Sequence, residues 1–171
     1  MLARLKNMPL IRLVILSLMW ICHTGHAFEI DQFKSGMSRA QIKDMLADWN
    51  FDTIEDAGPD VTLAFDGVKK ETNRLFKFYF CNGKLVTFEQ SLKGSVKNFI
   101  VVTQNYVRQY GQPIKVDAGT NVLSNGEKSS IAMYWRFRNE YIGVRYVNLP
   151  NGEDLSVSYE VNNNCFQAPR N

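Results

Sequence analysis

The chain has 171 residues, of which 45% are hydrophobic and 12% are aromatic, and its formal net charge is +3. This composition argues against an intrinsically disordered chain, and the length is sufficient for one domain with a hydrophobic core. The positive charge is less informative, because three of the basic residues lie within the first twelve positions.

The first 27 residues have the order of a secretory signal peptide. Three basic residues precede the apolar run Leu13–Cys22, and small residues follow at Gly25 and Ala27. The apolar run is about half as long as a membrane-spanning helix. We therefore predict a signal peptide at residues 1–27 that is cleaved between Ala27 and Phe28, and a periplasmic or secreted mature protein. The alternative is an uncleaved membrane anchor.

The predicted mature chain, residues 28–171, differs in chemistry from the whole. It loses both histidines, and its 17 acidic residues are balanced by the basic residues that remain of the original 20. A neutral chain lacks the long-range attraction that nonspecific nucleic-acid binding needs, so we expect no nucleic-acid partner. We also expect no membrane span once the signal peptide is removed. Cys81 and Cys165 remain, and in an oxidising compartment we expect them to form a disulfide bond. Two free buried thiols are the alternative.

The loss of histidine also restricts catalysis. Ser-His-Asp and Cys-His arrangements cannot form in the mature chain, and two cysteines alone cannot complete a structural zinc site. We therefore expect no enzymatic activity, no metal and no other cofactor. Paired carboxylates remain the catalytic alternative, because Asp60 and Asp66 flank one predicted strand near Asp52, Glu55 and Asp56.

Two helices are predicted from their capping residues and apolar stripes. The first runs from Ser38 to Trp49, because Ser38 and Gln41 have the spacing of a capping box. The second follows Ser95 and ends at Gly111, a residue type that favours the left-handed conformation of a helix C-terminus.

Strand-like segments separated by turn residues occupy much of the remaining chain. Asn82-Gly83 is the strongest hairpin signal, because a type I′ turn needs a positive φ at both positions. The eight predicted strands are Phe51–Glu55, Val61–Phe65, Leu75–Cys81, Lys84–Ser91, Ile114–Ala118, Ile131–Arg138, Tyr141–Asn148 and Asp154–Val161. The segment Thr120–Ser129 is expected to be an exposed loop.

A helix followed by strands recurs in both halves, and Asp56–Val61 is echoed by Asp117–Val122. The sequence thus predicts one α+β domain over residues 28–171, in which helices pack on an antiparallel sheet. Either the domain contains two tandem units of one helix and four strands, at residues 33–91 and 95–161, or the likeness of the halves is coincidental.

The first half carries two short motifs. Gly36-Met37-Ser38-x-x-Gln41 is followed by Leu46 and then by Phe80-x-Asn82-Gly83-Lys84-Leu85-Val86. This pattern resembles the small outer-membrane assembly lipoproteins of the SmpA/OmlA type and the wider group that shares the fold of β-lactamase inhibitory protein. The resemblance implies helices on an antiparallel sheet and a periplasmic binding or scaffolding module without enzymatic activity.

The second half predicts a sheet with two chemically distinct faces. If Asn139-Glu140 and Leu149–Gly152 are turns, Tyr134 lies opposite Arg145, and Arg145 lies opposite Ser156. The inner face, which is expected to pack on the second helix, consists of Met133, Trp135, Phe137, Ile142, Val144, Tyr146, Leu155, Val157 and Tyr159. The outer face is rich in Tyr and Arg, the residue types of interface hot spots, so the candidate partner-binding residues are Tyr134, Arg136, Arg138, Tyr141 and Arg145.

Small residues on the same outer face, among them Gly143 and Ser158, predict a shallow concavity. An ordinary solvated sheet face is the alternative. The first hairpin is less regular: continuous pairing from Asn82-Gly83 puts Phe78 opposite Thr87 and leaves aromatic side chains on both faces.

The leading functional prediction is an exported, non-catalytic binding or scaffold protein that uses a sheet face to bind another protein of the cell envelope. Residues 28–91 carry a net negative charge and residues 92–171 a net positive one. Either the two halves attract each other, or the positive half favours an acidic partner. The first alternative is a proteinaceous inhibitor or immunity-type protein that presents Thr120–Ser129 as a protruding loop. The second is a carboxylate-based hydrolase.

Overall fold

The computed structural model describes residues 28–49, 51–66, 74–137 and 139–166. Two predictions lie outside these residues: the signal peptide, which includes Ala27 of the cleavage site, and the partner-binding residue Arg138. Twelve elements follow one another along the described chain: β1 (Glu29–Ile30), β2 (Phe33–Lys34), α1 (Arg39–Asp48), β3 (Thr53–Asp56), β4 (Val61–Asp66), β5 (Arg74–Cys81), β6 (Lys84–Lys93), α2 (Val96–Tyr110), β7 (Lys115–Leu123), β8 (Gly126–Phe137), β9 (Glu140–Leu149) and β10 (Gly152–Val161). Neither helix in this part of the chain combines the length and apolarity of a membrane span.

The predicted α+β class is wrong, because the protein is mostly β. Strands account for 57% of the described residues and helices for only 19%. The strands of the second half are longer than their hydrophobic patterns predicted. In particular, the expected loop Thr120–Ser129 belongs almost entirely to β7 and β8, which pair from Lys115 opposite Tyr134 to Leu123 opposite Gly126. Because the residues of these segments are polar and exposed, they lack the alternation of apolar and polar residues by which a strand is identified from sequence.

Eight strands form one antiparallel sheet in the order β3-β4-β5-β6-β10-β9-β8-β7, while β1 and β2 form a separate two-stranded sheet. The strands of the two halves meet where β6 pairs with β10, from Lys93 opposite Asp154 to Thr87 opposite Glu160. This arrangement makes β3 and β7 the two edges of the sheet.

The helix α1 begins as the sequence predicted. The Ser38 hydroxyl accepts a hydrogen bond from the Gln41 amide, and the Gln41 side chain accepts one from the Ser38 amide. Ile42 and Leu46 of α1 are buried in a first hydrophobic cluster, which also contains Phe28, Phe33, Ala64, Phe76, Phe78, Phe80, Leu85 and Phe88. Phe28, the predicted first residue of the mature chain, is therefore part of the core.

The helix α2 also has the predicted ends. Ser95 caps its N-terminus, and Gly111 follows its C-terminus with φ of +82°. The Gly111 carbonyl accepts a hydrogen bond of 2.9 Å from the indole of Trp135, which ties the helix end to the sheet. The second hydrophobic cluster contains Phe99, Trp135, Ile142, Val144, Tyr146, Leu155 and Val157.

Both clusters lie on the same face of the sheet, here called the inner face, because Phe88 of the first cluster is directly opposite Tyr159 on β10. Tyr159 packs against both clusters, and its hydroxyl lies 2.5 Å from that of Tyr106 on α2. Burial raises the pKa of both tyrosines, so they stay neutral and the contact is an ordinary hydrogen bond between hydroxyls.

The predicted register between β9 and β10 is confirmed, with Val144 opposite Val157 and Arg145 opposite Ser156. The predicted register between β8 and β9 is wrong by two residues, because Tyr134 lies opposite Gly143 rather than Arg145. Side chains alternate with a period of two along a strand, so an even shift leaves every residue on its predicted face. Phe137, at the end of β8, is nevertheless 44% exposed.

A β-bulge explains the irregular first hairpin. Phe80 lies opposite Leu85 as predicted, but the register shifts between Tyr79 and Phe80, so that Phe78 pairs with Phe88 rather than with Thr87. The extra residue moves Phe78 and Phe88 together onto the inner face and leaves Tyr79 opposite Thr87 on the other face. The predicted mixture of aromatic residues on both faces is thereby largely removed.

The predicted disulfide bond is present between Cys81 at the end of β5 and Cys165 in the C-terminal tail, with Cα atoms 5.6 Å apart. The two residues are 84 positions apart in sequence. The bond therefore connects the two halves of the chain a second time, just beyond the Thr87–Glu160 end of the β6–β10 pairing.

Gly94 provides a test of the packing where β6 ends. A Cβ atom there would lie 2.3 Å from the backbone oxygen of Glu153, whereas one at Gly119 would meet no atom within 4 Å. We expect Gly94→Ala to lower the free energy of unfolding by about 1–3 kcal/mol, because the neighbouring backbone must move. Gly119→Ala, the matched control, should change it by less than about 0.5 kcal/mol. Urea denaturation followed by circular dichroism measures both, and equal effects would contradict the close approach.

Candidate functional site

The outer face is the side of the sheet opposite the two hydrophobic clusters. Near its centre is a depression of about 260 Å³. The depression is lined by Tyr79, Thr87, Glu89, Tyr134, Gly143, Arg145, Ser156, Ser158, Glu160 and Phe166. Its residues come from β5, β6, β8, β9, β10 and the C-terminal tail, so it crosses the junction between the two halves of the chain.

Small side chains form the floor of the depression. Thr87 pairs with Glu160, and Gly143 lies between Ser158 on β10 and Tyr134 on β8. A Cβ atom at Gly143 would lie 2.6 Å from the Ser158 hydroxyl oxygen and 3.3 Å from a ring carbon of Tyr134. The Tyr134 ring therefore packs against the bare backbone of Gly143, where any larger residue would push it away.

Aromatic rings stand on two sides of this floor. Tyr134 rises from β8, and Tyr79 rises from β5 and contacts Phe166 edge to face, with ring centroids 5.8 Å apart. Burial is the main cause of the raised pKa of both tyrosines, so their phenol groups stay protonated at neutral pH. Each wall can thus offer an aromatic surface together with a hydroxyl donor.

The C-terminal tail forms part of one wall. The Asn163 side-chain oxygen accepts hydrogen bonds from the backbone amides of Cys165 and Phe166, at 2.9 and 2.7 Å. The Asn163 amide nitrogen donates to the Val161 carbonyl at 2.9 Å. Together with the Cys81–Cys165 bond, these contacts hold Phe166 against Tyr79.

Three charged side chains line the depression. Glu89 is paired with Lys77, whose ammonium nitrogen lies 2.7 Å from a carboxylate oxygen. Within the part of the chain that the structure describes, Arg145 and Glu160 have no ion-pair partner, and Glu160 accepts only a long hydrogen bond of 3.5 Å from Asn163. Burial raises the pKa of the Glu160 carboxyl, and the Asn163 amide partly opposes this.

The predicted partner-binding residues do not all lie together. Tyr134 and Arg145 line the depression, whereas Arg136 lies over the ring of Tyr141, 5.7 Å from its centroid, on a neighbouring part of the outer face. Arg138 lies outside the described residues. Sequence reasoning missed Tyr79, Thr87, Glu89 and Phe166, because their position depends on the bulge and on the disulfide bond.

The acidic residues considered for catalysis have structural partners. Asp56 is paired with Lys43 at 2.7 Å and accepts a hydrogen bond from Thr62, and these contacts lower its pKa. Asp66 is buried and paired with Arg74. A general acid needs a raised pKa, whereas the contacts of Asp56 lower its pKa, so Asp56 is poorly suited to act as a general acid. Within the described ranges, no three His, Cys, Asp or Glu side chains are grouped so that they could hold a metal ion.

Glu160→Gln should stabilise the protein at neutral pH. Burial raises the folded-state pKa of Glu160, so the ionised carboxylate costs stability at every pH above that value. Because glutamine carries no charge, we expect the variant to have the higher free energy of unfolding at neutral pH. The difference should shrink as the pH falls below about 4, where the carboxyl becomes protonated in both the folded and the unfolded state. Urea denaturation at a series of pH values measures it.

Asp44→Asn on the exposed side of α1 is the matched control, since it makes the same chemical change in open solvent. It should leave the unfolding curve nearly unchanged at neutral pH. A Glu160→Gln variant that is less stable than wild type at neutral pH would contradict the argument that the carboxylate is unfavourably buried.

Comparisons with family models, with curated proteins and with solved structures found no match to this chain. The resemblance to the SmpA/OmlA lipoproteins and to the fold group of β-lactamase inhibitory protein therefore stays a prediction.

Proposed function

We propose that this protein is an exported, non-catalytic binding or scaffold protein that holds another protein of the cell envelope against its outer face. The observation that carries the proposal is the depression on that face, where aromatic and hydroxyl side chains surround Arg145 and Glu160, which have no ion-pair partner among the described residues. Periplasmic or secreted localisation is part of the proposal and rests on the signal-peptide pattern of residues 1–27.

The two faces of the sheet differ in a way that favours the outer one. The inner face is occupied by the protein's own clusters, in which Ile42, Leu46 and Phe99 come from the two helices. In contrast, the outer face presents Tyr134, Arg145 and the stacked Arg136–Tyr141 pair. Tyrosine and arginine dominate binding hot spots because they combine large contact area with directional hydrogen bonds.

The disulfide bond supports this role indirectly. Disulfide bonds form and persist in oxidising compartments such as the periplasm, so a disulfide bond is consistent with export. Cys165 also fixes the tail that carries Phe166, so the bond stabilises one wall of the depression as well as the fold. A binding surface whose walls are held in place before contact loses less conformational entropy when its partner binds.

Capture of partners from an envelope extract tests the proposal. The variant with Tyr134→Ala, Arg136→Ala and Arg145→Ala removes side chains from the outer face, and all three residues lie away from the two hydrophobic clusters. If hot-spot residues carry the affinity, each truncation costs about 1–2 kcal/mol, and together they should reduce recovery of the partner at least tenfold. Quantitative mass spectrometry of the captured proteins measures the loss.

A helix-face variant provides the control. Lys97→Ala with Arg108→Ala removes a similar amount of charge from exposed positions of α2. It should capture the same partner as wild type. Recovery of identical partners by all three proteins would refute binding through the outer face.

One observation favours the alternative function of a proteinaceous inhibitor. The hairpin of β7 and β8 is exposed along most of its first strand, and Val122 near its tip is 88% exposed. An inhibitor commonly inserts such a projecting element into the cleft of an enzyme. On this alternative, Val122→Asp with Leu123→Asp would abolish capture of a soluble enzyme, whereas the Tyr134, Arg136 and Arg145 substitutions would not. The same capture experiment therefore separates the two functions.

A further inference from the structure

The strand register keeps apart the two charges of the depression that lack an ion-pair partner in the described ranges, Arg145 and Glu160. Arg145 lies opposite Ser156 on β10, and Glu160 lies four residues further along the same strand. Four strand residues span about 13 Å, so the backbone positions of the two charges are separated by about that distance. Their side chains line the same depression but form no ion pair with each other.

The surface between the two charges is neutral and able to form hydrogen bonds. It consists of the hydroxyl groups of Ser156, Ser158 and Thr87 and the backbone at Gly143, between the aromatic walls. Only Glu89 adds charge, and Lys77 neutralises it. The depression is thus positive at the Arg145 end and negative at the Glu160 end.

Glu160 is the less favourable of the two charges within the protein itself. Its carboxylate is half-buried, and the hydrogen bond that it accepts from the Asn163 side chain is 3.5 Å long. Desolvated charge without a counter-ion costs free energy, which a ligand that supplies the counter-ion recovers on binding. The depression is therefore suited to a ligand that carries both signs of charge.

We propose that the depression recognises a bipolar segment of a partner protein, in which an acidic side chain contacts Arg145 and a basic side chain contacts Glu160. This inference rests on the proposed function, because it names the chemistry by which the partner would be recognised. The aromatic rings of Tyr79 and Tyr134 would cover the segment from both sides.

Charge spacing and volume favour a protein segment over a small zwitterion. A free amino acid carries its two charges only a few ångströms apart, whereas the backbone positions at Arg145 and Glu160 differ by about 13 Å. The depression, at about 260 Å³, is also slightly smaller than typical small-molecule pockets. In an extended segment, residues i and i+4 lie on one side with the same spacing of about 13 Å, which matches the two charges.

Blocked pentapeptides with a Ser-Thr-Ser centre provide defined probes. Their ends are Glu and Lys in either order, and the controls end in two Gln, two Glu or two Lys residues. Binding is followed on the full mature protein by the backbone amide NMR signals of Gly143, Ser156 and Ser158. We expect a peptide with one Glu and one Lys to bind about tenfold more tightly than the Gln-ended peptide, because two charge contacts are gained.

Charge reversal makes the test specific. Arg145→Glu should shift the preference to the peptide with two Lys ends, and Glu160→Lys should shift it to the peptide with two Glu ends. Glu160→Gln keeps the test valid if Glu160→Lys does not fold, and it should remove the preference for Lys while leaving the preference for Glu. Arg108→Glu and Asp44→Lys, on exposed helix positions, should change nothing.

The outcomes separate this inference from the proposed function. Equal binding of the bipolar and Gln-ended peptides, or preferences that survive both charge reversals, would overturn the inference. If capture from the envelope extract still depends on the outer face in that case, the proposed function stands without it. Free lysine or glutamate that shifts the same amide signals as strongly as the peptides would overturn the assignment to a protein segment.

Discussion

The pairing of β6 with β10 is the interaction on which the rest of the structure depends. It joins the strands of both halves into one sheet, from Lys93 opposite Asp154 to Thr87 opposite Glu160. On the inner face it brings Phe88 next to Tyr159, so the two hydrophobic clusters become continuous at that residue. On the outer face it brings Thr87 beside Glu160, so the floor of the depression exists only because the halves are paired. Backbone hydrogen bonds of one strand pair therefore determine both the core and the candidate site.

The disulfide bond adds a second connection of a different kind. Strand pairing aligns residues within the sheet, but it cannot place a tail that leaves the sheet after Val161. Cys81 and Asn163 together position that tail, the first through the covalent bond and the second through hydrogen bonds to the backbone amides of Cys165 and Phe166. The aromatic wall at Tyr79 is thus built from a strand of the first half and the last described residues of the second. Local polar contacts and one covalent bond replace the hydrophobic burial that so short a tail cannot supply.

Some parts of this arrangement could be predicted from sequence because their signals are local. The caps at Ser38, Ser95 and Gly111 depend on a few neighbouring residues, and the turn at Asn82-Gly83 is equally local. The overall class could not be derived in this way, because the exposed strand β7 and the start of β8 bury too few side chains to show alternation. A bulge is also invisible to pattern reasoning, since one added residue changes pairing without changing composition. Sequence reasoning therefore found Tyr134 and Arg145 but missed the half of the depression that comes from β5, β6 and the tail.

The strand registers predicted from the sequence were wrong in two places, between β8 and β9 and between β5 and β6. The two errors had different consequences for the site, for a simple geometric reason. The error of two residues between β8 and β9 kept Tyr134 and Arg145 on the outer face, although it misplaced their partners. The bulge beside Tyr79 is an odd shift, and an odd shift exchanges the two faces of a strand. It moved Thr87 outward and Phe88 inward, which created both the polar floor of the depression and the continuous inner core. Without the extra residue Val86, the sheet would carry aromatic side chains on both faces. With it, one face is hydrophobic and the other is polar and charged. That separation is what leaves the outer face available for a partner.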